Sequence, residues 1–157
     1  MSLLVVGSVA LDSVETPFGR ATEALGGSAA DFSAAASLFT PVQLVGVVGR
    51  DYPVNALDFL VRRGVDLSGL MQAEGESFRW AGSYSYDLNT AHTLETRLGV
   101  FASFSPRLPE RFRAAEWVFL ANIDPELQME VLDQVEAPRL VACDTMNYWI
   151  EGKRDAL

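Results

Sequence analysis

Four short apolar runs most constrain what this chain can become: Leu3–Val6, Val42–Val48, Trp117–Leu120 and Leu140–Cys143. Each is rich in β-branched or large apolar residues, and the first ends at Gly7-Ser8. Such runs suit strands covered on both faces, the pattern of a parallel sheet. Segments of helical spacing lie between them. Ala29, Phe32, Ala36 and Phe39 recur behind Ser28, which has the chemistry of an N-cap. Pro53 to Arg63 has proline at its start and Gly64 just past its end. Glu126 to Val135 is opened by Asp124-Pro125. Strands alternating with helices predict right-handed βαβ units and an α/β layered sheet.

Two segments depart from that rhythm. Val14 to Leu25 alternates with period two around a turn at Phe18-Gly19-Arg20. Phe78, Trp80, Gly82, Tyr84 and Tyr86 share one face of a second alternating run, and a third puts Leu94, Leu98 and Val100 opposite Thr93, Glu95 and Arg97. These segments read as antiparallel hairpins outside the main sheet. Their aromatic face must cover the sheet, a partner subunit or a ligand. Tyr148 to Leu157 reads as a helix cut in mid-course, without a C-cap.

Composition narrows the function classes. The 157 residues carry 12 Lys+Arg against 21 Asp+Glu, a formal charge of −9. That balance argues against general binding to nucleic acid or an anionic membrane. A hydrophobic content of 49% supplies a core for about one domain. Cys143 and His92 are the only residues of their kinds, so an intrachain disulfide, a cysteine-based zinc cluster and a His-pair metal site are excluded. Cys143 reads as a small buried hydrophobe at a strand end, His92 as a solvated turn residue. No apolar run reaches membrane-spanning length, and MSLLVVGSVALD lacks a basic n-region, so a cytoplasmic location is the default.

The most suggestive local feature is Gly26-Gly27-Ser28-Ala29-Ala30-Asp31. Two glycines let a backbone approach a ligand closely, and a helix start offers N–H donors to hydroxyls or an anion. The same residues equally suit a hairpin-to-helix turn that needs a positive φ. Asp12 lies past the first strand, at the edge where open α/β sheets bind ligands. Its carboxylate can accept two hydroxyls of a polyol, or be an exposed loop acid. Asp31, in the first turns of a helix, also suits the helix dipole. Asn122 and Asp124 follow one strand, Asp144 and Asn147 another, all at the edge of Asp12. Asp124 reads as well as a helix cap, and Asn147 as a turn residue. Neither a G-x-G-x-x-G after Gly7 nor a P-loop at Gly152-Lys153 is present.

Taken in order, these residues have a familiar arrangement: Gly7-Ser8, Asp12, a hairpin, Gly26-Gly27-Ser28-Ala29-Ala30, an Ala-rich helix, Val45-Gly46-Val47-Val48-Gly49-Arg50-Asp51, Gly64-Val65-Asp66, then the aromatic hairpin. The whole resembles the N-terminal half of the ribokinase-like (PfkB) carbohydrate kinase family, over essentially all 157 residues. The resemblance implies a ribokinase-like layered α/β sheet with a small β lid, its C-terminal part missing. Residues 1–157 would be the N-terminal part of a kinase domain, with lid segments at about 13–25 and 76–104. It also implies ATP-dependent phosphorylation of a sugar, with ATP and Mg²⁺ as cofactors. The partner would be a small-molecule sugar or nucleoside, with no nucleic acid and no membrane, and the chain would form a homodimer through the lid.

By the same resemblance Asp12 holds substrate hydroxyls, and Gly26 and Gly27 are the diglycine hinge and sugar contact. Asp31 stands where the family usually has Asn, and Asn122 falls near a substrate position. Trp80 and Tyr84 are lid residues that either touch the ligand or pack within the lid. An ionised Asp only accepts hydrogen bonds, whereas Asn also donates, so the departure at Asp31 bears on the substrate. The family's Gly-Ala-Gly-Asp-like motif, with its general base and anion hole, does not occur in the sequence. No catalytic residue and no metal ligand is therefore assigned, and the chain is expected to be a kinase half, inactive alone. The alternative is a non-catalytic sugar- or nucleoside-binding module that kept the lid.

Overall fold

The computed structural model describes residues 2–157. Its main sheet contains β1 (Leu3–Val6), β4 (Val42–Gly49), β5 (Val65–Ala73), β8 (Trp117–Leu120) and β9 (Leu140–Cys143) in the order β5-β4-β1-β8-β9. Every pairing in it is parallel. The four apolar runs thus form strands. The strand not anticipated is β5, whose sequence VDLSGLMQA has no continuous apolar run and lies on a sheet edge.

Side chains of the central strand alternate between two cores. Leu4 and Val6 pack with Val45, Val47, Val118 and Leu120 on one side, under Phe112 and under Val131 of α3 (Pro125–Leu132). Val5 points the other way, to Leu44 and Val48, beneath Ala29 and Ala30 of α1 (Ser28–Ala36) and Leu60 of α2 (Asp58–Arg62). Alanines in α1 let that helix lie close on the sheet. No helix among the described residues is long and apolar enough to cross a membrane.

The alternating segments form a second sheet. Strands β2 (Ala10–Thr16) and β3 (Gly19–Gly26) make one antiparallel hairpin, and β6 (Arg79–Tyr84) and β7 (Ala91–Arg97) another. A parallel β2–β6 pairing joins them in the order β3-β2-β6-β7. Phe78 stacks on Phe101 at 5.3 Å and so anchors this sheet to the main core. Farther out, Phe18, Tyr86 and Leu94 are solvent-exposed.

Arg79 ties the two sheets together. Its Nη1 lies 2.7 Å from Asp51 Oδ2, in the turn after β4, and its Nε donates to Glu23 Oε1 on β3 at 2.8 Å. Asp51 Oδ1 also accepts from Ser77 N and Ser77 Oγ, at 2.8 and 2.7 Å. Burial alone would raise the Asp51 carboxyl, but the Ser77 and Arg79 hydrogen bonds outweigh it and hold the carboxyl below the usual range. A depressed folded-state value means this contribution is present above the ordinary carboxylate range and is lost as pH falls through the folded value. We expect Arg79→Ala to cost about 2 kcal/mol, the scale of hydrogen bonds to charged groups. Amide exchange of β2 and β6 should accelerate more than that of β1. Equal protection in the variant would remove Arg79 as the tie.

Four details differ from the sequence reading. Gly27, not Ser28, is the N-cap of α1. Cys143 is exposed, because β9 is an outer strand of the sheet. His92 lies within β7 rather than in a turn. The last helix, α4 (Asn147–Gly152), closes at Gly152 and is followed by a turn in which Ala156 N donates to Lys153 O. Glycine's weak helix propensity favours a stop there.

The β9 end of the main sheet is bare on the α1 side. Leu3, Phe32, Phe39, Trp117, Phe119 and Leu140 line an apolar cleft of about 400 Å³ there. Phe32 stacks on Phe119 at 3.6 Å, while Phe39, Leu140 and Val141 remain exposed.

Candidate functional site

The site is built where β1 ends and α1 begins. From Gly7-Ser8 the chain runs out through the β2–β3 hairpin and returns at Gly26. Gly27 then turns it into α1 with φ 98°. A Cβ at Gly27 would lie 2.5 Å from Ser8 O and 2.8 Å from Ala10 N, so the turn admits only glycine. Ser8 supplies the cap that Ser28 was expected to be. Its Oγ accepts from Ser28 N at 3.0 Å and its carbonyl accepts from Ala29 N at 3.1 Å. These two amides are thereby engaged within the protein.

Asp12 projects from β2 over this turn. A Cβ on Gly26 would sit 2.1 Å from Asp12 Oδ2, so the glycine makes the room in which the carboxylate lies. The Gly27 N–H donates to the same carboxylate and lowers its pKa. Burial, with a smaller contribution from the charge of Asp31, outweighs that bond and pushes the Asp12 carboxyl up to about 6. Asp31 is one turn into α1, with its amide donating to Gly27 O at 3.0 Å. Its side chain is at the exposed rim, and the surrounding protein still raises its carboxyl.

A raised carboxyl has a definite consequence for stability. The folded chain holds the Asp12 proton more tightly than the unfolded chain, so stability falls as pH rises from about 4 through about 6. Asp12→Asn is expected to stabilise the protein at pH 7.5 by about 1 kcal/mol, discounted for the solvent that reaches the side chain. The gain should vanish at pH 4, which thermal melts across that range would show. A gain independent of pH would mean that charge at Asp12 is not its origin.

Tyr52 joins these acids and was missed by the sequence reading. It follows Asp51 in the turn after β4, where its amide donates to Gly49 O at 3.2 Å. The residue is only 3% exposed, and its hydroxyl has no hydrogen-bond partner. Burial, then the charges of Asp12 and Asp31, push the phenol up to about 12. Its one signal in the sequence was its place beside the V-G-x-V-G-x-D stretch.

Asn122 borders the site from the end of β8. Its carbonyl is 3.4 Å from Ser28 Oγ, and its side-chain Oδ1 is buried without a partner. The fold therefore brings Asp12, Gly26, Gly27 and Asp31 together, with Asn122 alongside. The register pairs Asp12 with Trp80, which places both on one face of the second sheet. Trp80 Nε1 donates to Thr93 Oγ1 at 3.2 Å.

The other candidates have structural work. Asp124 caps α3, its Oδ1 accepting from Glu126 N at 3.0 Å and its Oδ2 lying 2.6 Å from Lys153 Nζ. Asp144 joins the strand ends through its backbone: its amide donates to Leu120 O at 2.9 Å, and its carbonyl accepts from buried Gln128 at 3.1 Å. Asn147 opens α4 and is exposed.

Comparison with known proteins agrees with this architecture. No family model matches the chain. A cytidine kinase of Thermococcus kodakarensis is 28% identical over 141 residues, which is 89% of this chain and 50% of that protein. The nucleoside kinase of Methanocaldococcus jannaschii, an archaeal member of the ribokinase family, superposes with a TM-score of 0.72 at 19% identity, over 99% of this chain and 56% of its own. A ribokinase of Cryptococcus neoformans in complex with ADP gives 0.65 at 18% identity, over 92% and 48%. The chain spans about half the length of the relatives it matches. The resemblance carried by the glycine pair and the V-G-x-V-G-x-D stretch is borne out, and the chain has the ribokinase-like α/β fold of the PfkB-type kinases.

Proposed function

We propose that this chain is the substrate-binding half of an ATP-dependent kinase acting on a hydroxyl of a sugar or nucleoside. The observation that carries this reading is the convergence of Asp12, Gly26-Gly27 and Asp31 at the edge of the sheet where β1 ends, inside a ribokinase-like fold. In this reading the Asp12 carboxylate accepts hydroxyls, Gly26 keeps the space around it open, and Asn122 Oδ1 accepts a further donor. The second sheet is a lid: Trp80, on the face of Asp12, closes over the ligand and keeps water out. The names of the cytidine and nucleoside kinase relatives favour a nucleoside within this class.

No three His, Cys, Asp or Glu side chains among the described residues converge to hold a metal ion, and no residue of this chain is assigned to Mg²⁺. When bound, the nucleotide and its metal supply the phosphoryl group and neutralise its charge. The residues present hold and orient the acceptor. Exposed Leu140 and Val141 on β9 favour a half whose sheet is completed by further polypeptide over a self-sufficient binding module.

Calorimetric titration of the purified chain with ribose, cytidine and inosine tests this, together with an ATP-consumption assay. Binding of at least one of them without phosphate transfer is expected. Transfer by the chain alone would overturn the division between binding and chemistry. A folded chain that binds none of them would overturn the site.

A further inference from the structure

Gln128 occupies an inward position of α3 that an apolar side chain would ordinarily fill. It is 5% exposed and lies between buried Pro125 and Val131, while its apolar neighbour Met129 is half exposed. Burying a carboxamide is costly unless its hydrogen bonds are made, so bonding explains the placement. Its Nε2 donates to Leu120 O at 3.1 Å, Ala121 O at 3.0 Å and Asp144 O at 3.1 Å. Three carbonyls admit only the amino end of the carboxamide, and an ionised carboxylate or a thioether of similar length could serve none of them.

The bond to Ala121 bears directly on the site. A peptide group is planar, so fixing the oxygen of Ala121 fixes the amide from which Asn122 departs. The same residue is held from β1, its amide donating to Val6 O at 2.8 Å. From the α1 side, Ser28 Oγ lies 3.4 Å from the carbonyl of Asn122. The bond to Asp144 O ties this loop to the exit of β9, just past the Leu120–Cys143 pair of the β8–β9 ladder. The backbone around Asn122 is thus fixed from three directions, while its Oδ1 is buried without a partner among the described residues. An acceptor with a rigid frame and unspent bonding capacity is preorganised for a donor from outside the chain.

We propose that Gln128 is a positioning residue, whose buried carboxamide fixes the exit of β8 so that Asn122 Oδ1 is presented to a donor on the ligand. This rests on the reading of Asn122 as part of the sugar or nucleoside site and adds the residue that sets its geometry. Gln128 touches no ligand itself and acts through Asn122.

The test uses Gln128→Met and Asn122→Ala, singly and together, in the full chain. Methionine keeps the length of the side chain and removes its donors. Without ligand, the nitrogen–proton correlation NMR spectrum of Gln128→Met should show the backbone and side-chain amides of Asn122 shifted or broadened, with the Gly27 amide in place. In calorimetric titration with ribose, cytidine and inosine, each single replacement should weaken the wild-type ligand about tenfold, the worth of one hydrogen bond. In the Asn122→Ala background, Gln128→Met should cost less than about a further twofold, because the residue it positions is already gone. Equal losses in the two backgrounds assign Gln128 to the core alone and overturn the positioning role. Asn122 resonances that stay in place in folded Gln128→Met overturn it as well. If a thermal melt shows that Gln128→Met does not fold, Gln128→Asn, which withdraws the same amino group by one methylene, replaces it in every arm. A wild-type chain that binds none of the three ligands overturns the site reading, and the ligand-free spectra still support or overturn the hold of Gln128 on Asn122.

Discussion

Gly27→Ala should abolish stable folding or cost at least about 4 kcal/mol. An alanine at φ 98° is strained by roughly 1–3 kcal/mol before any contact is considered. Its Cβ would then meet Ser8 O at 2.5 Å and Ala10 N at 2.8 Å. Both are backbone atoms held by their own strands, so neither can turn aside as a side-chain end could. Relief would require pulling α1 away from Ser8, which breaks the hydrogen bonds from Ser28 N and Ala29 N to that residue. Losses this large are rare for one methyl group and diagnose a backbone that cannot yield. Urea denaturation followed by circular dichroism measures the effect. A midpoint equal to that of the wild-type chain would mean the Gly27 turn is not built this way.

Gly26→Ala should do the opposite, sparing the fold and damaging the site. Gly26 is outside the positive-φ region, so its backbone accepts alanine. The added Cβ would meet Asp12 Oδ2 at 2.1 Å and Asp12 Cγ at 2.5 Å, the end of a flexible side chain. The carboxylate can rotate away, but it then leaves the Gly27 N–H and the position from which it would hold a ligand. Loss of two charge-assisted bonds corresponds to an affinity reduced about 100-fold. Stability should change by no more than about 1 kcal/mol. Titration with whichever of ribose, cytidine or inosine binds the wild-type chain, set beside a urea melt, separates the two effects. Unchanged affinity in a folded variant would show that the placement of Asp12 does not govern binding. Together the adjacent glycines form a paired control, one serving the chain path and the other the carboxylate.

Much of this architecture was written in local pattern. Leu3–Val6 and Trp117–Leu120 were legible as strands from their four consecutive apolar side chains, though only the first is covered on both faces and Trp117 of the second is exposed. Period-two alternation marked both hairpins of the second sheet. Asp12, Gly26-Gly27 and Asp31 were legible as a group because a turn residue and a short polar side chain carry their chemistry in their type. Edge strand β5 was not legible, since its amphipathic, glycine-containing sequence lacks the apolar run that marks a central strand. Cys143 and Ser28 were misread for a related reason. Whether a residue at a strand end is covered, or which serine caps a helix, depends on what other segment arrives there.

Periodicity and turn chemistry carry information about neighbours along the chain, and they sufficed for the strands, the hairpins and the glycine turn. The company kept by Asp12 required the folded molecule. Tyr52, forty residues away, reads as an ordinary turn residue until the fold buries it within the field of Asp12 and Asp31, whose charges help raise its phenol. Asn122 arrives through the parallel pairing of β8 with β1. Burial and the Coulomb field depend on distance in space, and it is the sheet's strand order that sets those distances.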